Sequence, residues 1–149
     1  MALPDDLKAI AGAQELHDWF GYWPSFHDGE IISLHLNRTD PSILTIHFWE
    51  TTNEVDKDGY YVLTKDVVVE FMIDISGTDD CLELFGFSQQ NVVSSLTIKK
   101  TASAYTLDIS QCYGLAGTIK ADNISIRLTP GAPGAAKEEA RPLRGQRAE

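Results

Sequence analysis

The stretch "VVVEFMIDI", residues 67–75, decides the fold. Every odd position in it, from Val67 to Ile75, is large and apolar, whereas the even positions include Glu70 and Asp74. A period of two over nine residues rich in β-branched side chains predicts a β-strand that buries one face. We therefore expect a protein built on a sheet, with the odd face of this strand in its core.

The same alternation occurs twice before this strand. In residues 32–37 and 44–49 the even positions are apolar, and the turn sequence "TDPS" lies between the two segments at 39–42. This arrangement predicts an antiparallel hairpin. A turn centred near Pro41 would place His35 opposite His47, with both imidazoles on the outer face.

The remaining segments predict a meander of short strands. Asp58-Gly59 marks a turn before the strand at 67–75. Further along, "CLELFGF", "LTIKK", "AYTLDIS" and "GTIKADNISIRL" read as strands, and "SQQNVVSS" at 88–95 reads as a polar connection or a single helical turn. The apolar parity changes at Asp122-Asn123, which indicates a bulge or a hairpin turn there.

Both ends of the chain differ from this pattern. Pro4 suits a first helical turn, Gly12 divides the helical region, and Gly21 suits its end. Residues 130–149 are rich in Pro, Gly, Ala and charge, and predict a tail of low order. The expected fold is mainly β, of the α+β class: one domain at 1–129 with an N-terminal helix packed on an antiparallel meander sheet, forming a sandwich or a partly open barrel.

The composition of the chain argues against several classes of function. The 149 residues carry a net charge of −10, which argues against a nucleic-acid partner because such binders need a basic surface. The chain lacks an apolar run of roughly 18 to 20 residues, and its N-terminus is acidic, so we expect a cytoplasmic protein without a membrane partner. Cys81 and Cys112 fit no metal or redox spacing, and reduced thiols in structural roles are expected.

The negative charge is concentrated between Glu50 and Glu83. Ten acidic residues lie there against two lysines, Lys57 and Lys65. Trp49 falls on the outward parity beside this segment. An exposed tryptophan among carboxylates suits a protein-binding hot spot; the alternative is that the N-terminal helix covers it.

The stretch "WPSFHDGEI", residues 23–31, has two interpretations. His27, Asp28 and Glu30 could bind a metal or transfer protons, but their spacing completes no known ligand set. The structural interpretation is a corner between helix and sheet, in which Trp23 and Phe26 are anchors and Pro24 fixes the backbone. The Asp28 carboxylate would then cap turn amides before Gly29.

Two other groups could bind metals. Glu54, Asp56, Asp58 and Gly59 partly match a calcium loop, but Lys65 stands where the closing glutamate should be, so a solvated hairpin tip is expected. His35 and His47 could bind a transition metal or respond to pH. The chain carries no nucleophile elbow or nucleotide-binding loop, so we predict no enzyme and no cofactor.

Three segments resemble the family catalogued as immunity protein 50, which is assigned to bacterial polymorphic toxin systems: "DWFGYWPSFHDGEI", "LELFGFSQQNVVSSLTI" and "YTLDIS" with "GLAGTIKADNISI". The resemblance covers about residue 16 to residue 128. It implies a protein that binds and neutralises a cognate toxin domain by direct contact, with a basic nuclease as one candidate. The expected partner-binding residues are His27, Asp28, Glu30, Trp49, Glu50, Glu54, Asp56, Asp58, Glu70 and Asp74.

Two alternatives stay open at this stage. One is a metal-dependent or small-ligand-binding enzyme that uses His27, Asp28 and Glu30, together with His35 and His47. The other is a dimerisation module that pairs exposed strand edges. A monomer and a homodimer are both compatible with the sequence.

Overall fold

A computed structural model describes residues 3–76, 81–86, 88, 91–102 and 104–133. Strands dominate it, and one short α-helix precedes them. The elements are a 3-10 helix at Asp5–Leu7, then α1 at Ala13–Phe20, β1 at Glu30–His35, β2 at Ser42–Val55, β3 at Tyr61–Ile75, β4 at Cys81–Phe85, β5 at Val92–Thr101 and β6 at Ala104–Pro130.

The six strands form one antiparallel sheet that closes on itself. Their order is β3-β2-β1-β5-β6-β4, and β3 also pairs with β6. Closure depends on β6, whose 27 residues pair first with β5, then with β4 and finally with β3. The change of partner occurs around Gly114 and Gly117, both at positive φ, which glycine adopts without strain. One long strand, β6, therefore replaces the two shorter strands expected between residues 104 and 128, and it closes the sheet into a ring.

The strand at 67–75 has the predicted buried face. Val67, Val69, Phe71 and Ile73 are fully buried, and they face the apolar residues of β2 at Leu44, Ile46 and Phe48. Ile75 is the exception, since it lies at the end of the strand beyond a register shift and is exposed. The core fills the inside of the ring, and the mainly β fold is confirmed.

The predicted register of the first hairpin was wrong. Glu30 pairs with His47, and His35 pairs with Ile43. The Asn37 amide donates to the Ser42 hydroxyl at 2.9 Å, and this contact fixes the loop ends so that the turn centres near residue 39. The two imidazoles are therefore not opposite one another, and they form no pair.

The face predicted for β1 was right at Leu34, which packs against the core opposite Leu44, but wrong at Ile32 and Leu36. Ile31 is buried, whereas Ile32 and Leu36 are exposed. The register with β2 shifts between Ile31 and Ser33, and a bulge of this kind moves the following side chains to the other face. Sequence alternation alone does not show such an insertion.

The helix is bounded by glycines as predicted. Gly12 precedes α1 and Gly21 follows it, both at positive φ. Pro4 introduces only a 3-10 turn. The Ile126 amide donates to the Ala11 carbonyl at 2.7 Å, which ties the start of α1 to β6. The helix is thus packed on the sheet, as expected.

Smaller features of the later chain correct or confirm the sequence pattern. Strand β5 begins at Val92, so the polar connection is shorter than predicted. Asn123 and Ala121 pair with consecutive residues of β3, which leaves Asp122 as the predicted bulge. Cys112 is a free and exposed thiol, so its expected structural role was wrong.

Two expectations concern the chain as a whole. The tail predicted from residue 130 falls largely in 134–149, which lies outside the described residues. Within the described part of the chain, no helix has the length and apolar character needed to span a membrane.

Candidate functional site

The stretch at 23–31 forms a packed corner. Phe26 is fully buried, and its ring centroid lies 5.2 Å from that of Phe48 and 5.7 Å from that of Phe71. Pro24 is buried and Trp23 packs partly on the core. The chain reaches this position through a left-handed backbone at Phe26, with φ of 62°. A bulky residue at positive φ is strained, so burial of the ring must offset that cost.

Backbone hydrogen bonds fix the same corner to β5. The Asp28 amide donates to the Val93 carbonyl at 2.8 Å, and the Val93 amide donates to the Gly29 carbonyl at 2.9 Å. The Gly29 amide donates to the Phe26 carbonyl at 2.9 Å, so the predicted capping of that amide by the Asp28 side chain was wrong. The Asp28 carboxylate instead faces solvent.

The geometry gives the metal-site alternative no support. The side chains of His27 and Asp28 are 62% and 64% exposed, and their nearest N and O atoms are 3.6 Å apart. The second ring nitrogen of His27, Nδ1, donates to the Ser94 carbonyl at 2.9 Å. Among the described residues, no three His, Cys, Asp or Glu side chains are grouped so that they could hold a metal ion.

The β2–β3 hairpin extends beyond its neighbours as a two-stranded arm, residues 51–64. Strand β1 reaches β2 only as far as His47, and β6 reaches β3 only from Val67. At the tip, one Asp56 carboxylate oxygen accepts hydrogen bonds from the amides of Asp58 at 2.9 Å and Tyr60 at 3.0 Å. This is an Asx-type turn, so Asp56 holds the hairpin tip that was predicted in place of a calcium loop.

Two of the described acidic residues between Glu50 and Glu83 have basic partners within the protein. Glu70 accepts hydrogen bonds from the Arg127 guanidinium, with a shortest distance of 2.6 Å, and Glu50 lies 3.6 Å from the Lys65 ammonium. Asp74 is exposed on the outer face of β3. The expected acidic field is therefore partly balanced within the protein.

A second carboxylate contact orients Glu50 toward the helix. The Tyr22 hydroxyl donates to Glu50, and the Lys65 ammonium donates to the Phe20 carbonyl at 3.1 Å. Burial raises the pKa of Tyr22 above its ordinary value of 10.0, and the hydrogen bond and charge of Glu50 raise it further. Glu50 is thus part of the contact between the end of α1 and the sheet.

Trp49 packs on a buried histidine, His47, which is paired with the half-buried Asp66. His47 is only 3% exposed although it points to the outer face, because the Trp49 ring packs on it with centroids 4.9 Å apart. The His47 Nε2–H donates to the Asp66 carboxylate. The end of the N-terminal helix contacts β3 opposite Trp49, where the Trp19 indole N–H donates to the Lys65 carbonyl at 2.8 Å. Trp49 remains partly exposed.

The structure thus brings together only part of the predicted set. Trp49 adjoins the cross-strand pair of His47 and Glu30 on the outer face, whereas the acids of the arm lie apart from it. The sequence reasoning missed Asp66 as the partner of His47. The sequence offered one indication of this partner: Asp66 has an even number, like the other residues on the outer face of β3.

Comparison with known proteins identifies the family of this chain. The sequence model of the family described as immunity protein 50 matches residues 12–130, from the glycine before α1 to the last residue of β6. Searches of curated proteins and of solved structures gave no match. The family match covers most of the chain and includes the earlier resemblance at about 16–128. The chain therefore belongs to the immunity protein 50 family.

Proposed function

We propose that this protein acts in the bacterial cytoplasm, where it binds a cognate toxin domain directly and neutralises it. The observation that carries the proposal is the family match over residues 12–130. Inhibition by binding requires a stable, rigid surface and no reacting groups. The closed sheet and its buried core can provide such a surface.

The charge of the chain supports a basic toxin domain as the partner, such as a nuclease. The net charge is −10, and opposite charges accelerate the encounter of two proteins in a salt-dependent way. Glu54 and Asp58 are exposed on the arm, where they are well placed to act on an approaching basic surface. Steering of this kind changes the association rate more than the dissociation rate.

The proposed binding surface has three parts. The first is the exposed corner with His27, Asp28 and Glu30, and the second is the arm. The third is the outer face of β2 and β3, which carries Trp49 and Asp74. Glu50, Asp56 and Glu70 already make intramolecular contacts, and we assign them supporting roles in this surface.

Direct binding is the test. The probe is the C-terminal domain of any large secreted protein that is found to be encoded beside this one, and binding is measured at low and high salt. We expect nanomolar affinity that weakens as salt rises, together with loss of the toxin's activity. No binding at either salt would contradict the proposal, and so would tight binding that leaves the toxin fully active.

A matched pair of variants tests the steering. Glu54→Gln with Asp58→Asn should lower the association rate at low salt and leave the dissociation rate nearly unchanged. The control, Glu15→Gln with Asp40→Asn, makes the same change in net charge at exposed positions on α1 and in the β1–β2 loop. Equal effects of the two pairs would show that net charge alone, not the arm, steers the toxin.

A further inference from the structure

Trp49 is a partly exposed aromatic ring fixed on the outer face of the sheet. We infer that it is the anchor of the partner interface and accepts an arginine or lysine side chain of the bound protein. The inference rests on the proposed function and adds to it the chemistry of the contact. Tryptophan rings are the best acceptors of cations in proteins, and interface hot spots are enriched in tryptophan, tyrosine and arginine.

The ring is held in place before a partner arrives. It packs on His47 with an interplanar angle of 52°, and its centroid lies 6.4 Å from that of Phe48. His47 is in turn fixed by its hydrogen bond to Asp66. A side chain that is already ordered loses little entropy on binding, which favours affinity. His47 and Asp66 are therefore positioning residues for Trp49.

The hairpin is irregular beside this cluster. The register of β2 with β3 shifts between Phe48 and Glu50, and Lys65 on the opposite strand adopts φ of 56°. Asp66 is two residues from Val68, the partner of His47, and is therefore a diagonal neighbour of His47 on the outer face. At the same irregularity, the Lys65 side chain contacts the end of α1, where its ammonium donates to the Phe20 carbonyl at 3.1 Å. The lysine on the strand opposite Trp49 thus has its ammonium engaged by the Phe20 carbonyl and the Glu50 carboxylate.

Carboxylates from both neighbouring strands lie beside His47, on which the Trp49 ring packs. One row of paired residues crosses the sheet from β5 to β6: Val92, Glu30, His47, Val68 and Thr129. Glu30 is exposed next to His47 on the β1 side, and Asp66, 26% exposed at its side chain, bonds to His47 from the β3 side. Negative charge this close to an aromatic ring favours a cation over a neutral or acidic side chain.

The chemistry of this contact can be tested without the toxin. Arginine amide is titrated into the full chain, and the indole N–H resonances of Trp19, Trp23 and Trp49 are followed by NMR. The Trp49 resonance is assigned by its loss in Trp49→Phe. We expect it to move progressively with arginine amide, to move much less with citrulline amide, which shares the α-ammonium but has a neutral side chain, and to respond less in His47→Gln. Equal movement of all three resonances would overturn the inference.

Binding to the toxin domain gives the second test. Trp49→Ala should weaken the affinity about 30-fold or more, mainly through faster dissociation. Trp49→Phe should lie between Trp49→Ala and the native protein. The control is Leu84→Ala on β4, a residue that is 68% exposed, and it should leave the affinity nearly unchanged. Thermal unfolding of each variant checks that the fold persists.

The outcomes separate this inference from the proposed function. If the native protein does not bind the toxin domain, the proposed function fails, and the arginine titration still decides the chemistry of Trp49. If the native protein binds and Trp49→Ala binds equally well, only the anchor is refuted. A native protein whose self-association is abolished by Trp49→Ala would make a second copy the occupant, which also overturns the inference.

The chain itself is the remaining candidate occupant. The Gly131 amide donates to the Asp66 carbonyl at 2.9 Å, so the chain continues toward residue 149 from a point beside this cluster. A protein ending at residue 133 provides the control. An unchanged Trp49 resonance in the shortened protein supports a surface open to a partner, whereas a large shift would show that residues 134–149 contact the ring and would overturn the inference.

Discussion

Replacement of Phe26 by alanine tests whether the corner at 23–31 is structural. The ring is fully buried and contacts two other aromatic rings, Phe48 and Phe71. Truncation of a buried phenylalanine costs about 3 to 5 kcal/mol, and the two lost aromatic contacts place Phe26 toward the upper end. We therefore expect the free energy of unfolding to fall by about 4 kcal/mol, a large share of the roughly 5 to 15 kcal/mol of a typical domain.

Urea unfolding followed by circular dichroism measures this loss, and the melting temperature should fall by roughly 10 °C. The left-handed backbone at Phe26 supplies a sharper comparison. At an ordinary φ, glycine is less stable than alanine by about 0.5 to 1 kcal/mol. At a φ of 62°, Phe26→Gly should be as stable as Phe26→Ala or more stable, because alanine keeps the backbone strain that glycine relieves.

Two results would refute this reasoning. Phe26→Ala with unchanged stability would show that the ring does not hold the corner, and lost toxin binding in the same variant would make Phe26 itself a binding residue and not a structural one. Phe26→Gly clearly less stable than Phe26→Ala would contradict the strained backbone. Phe26→Leu is the control for volume, with an expected loss of only about 1 kcal/mol.

Two further predictions concern glycine and tyrosine positions. A Cβ at Gly12 would lie 1.9 Å from the Ile126 carbonyl oxygen, whereas one at Gly21 would meet nothing within 4 Å, and both residues have positive φ. Gly12→Ala should therefore cost more than about 2 kcal/mol and Gly21→Ala about 1 kcal/mol, measured by urea unfolding; equal losses would contradict the close approach. Because the pKa of folded Tyr22 is raised above 10.0, the unfolded chain loses this proton first as pH rises, so the native protein should lose stability above that value. The Tyr22→Phe variant should lose less stability over the same pH range. If the free energy of unfolding of the two proteins depended on pH in the same way, the hydrogen bond to Glu50 would be contradicted.

The strand at 67–75 was predictable because its pattern is long and matches its surroundings. Four of its five odd residues are fully buried, and only Ile75 departs. The first hairpin was less predictable, although its segments also alternate. Its register depends on contacts at the loop ends, where Asn37 and Ser42 bond to each other, and on a bulge in β1. Alternation indicates that a strand exists, but it does not specify which residues face each other.

The candidate site was harder to predict than the fold. An outward parity suggested that His47 is solvated, yet the imidazole is buried because a neighbouring ring and a carboxylate from β3 cover it. That burial depends on which residues of two strands lie beside each other, and the alternation within one strand does not specify this. Trp49 could be proposed from its position beside acidic residues, whereas the support beneath it could not.

The two proposed elements of the binding surface act at different distances, and this difference makes them separable. Charges on the arm act over about 8 Å at physiological salt, before contact is made, so their removal should change the association rate and the salt dependence. The Trp49 ring acts only in contact, so its removal should change the dissociation rate at every salt concentration. A variant with both changes should show additive effects if the arm and the ring bind different parts of the partner. Strong coupling between them would instead place one partner group against both, and the arm would then belong to the anchor and not only to steering.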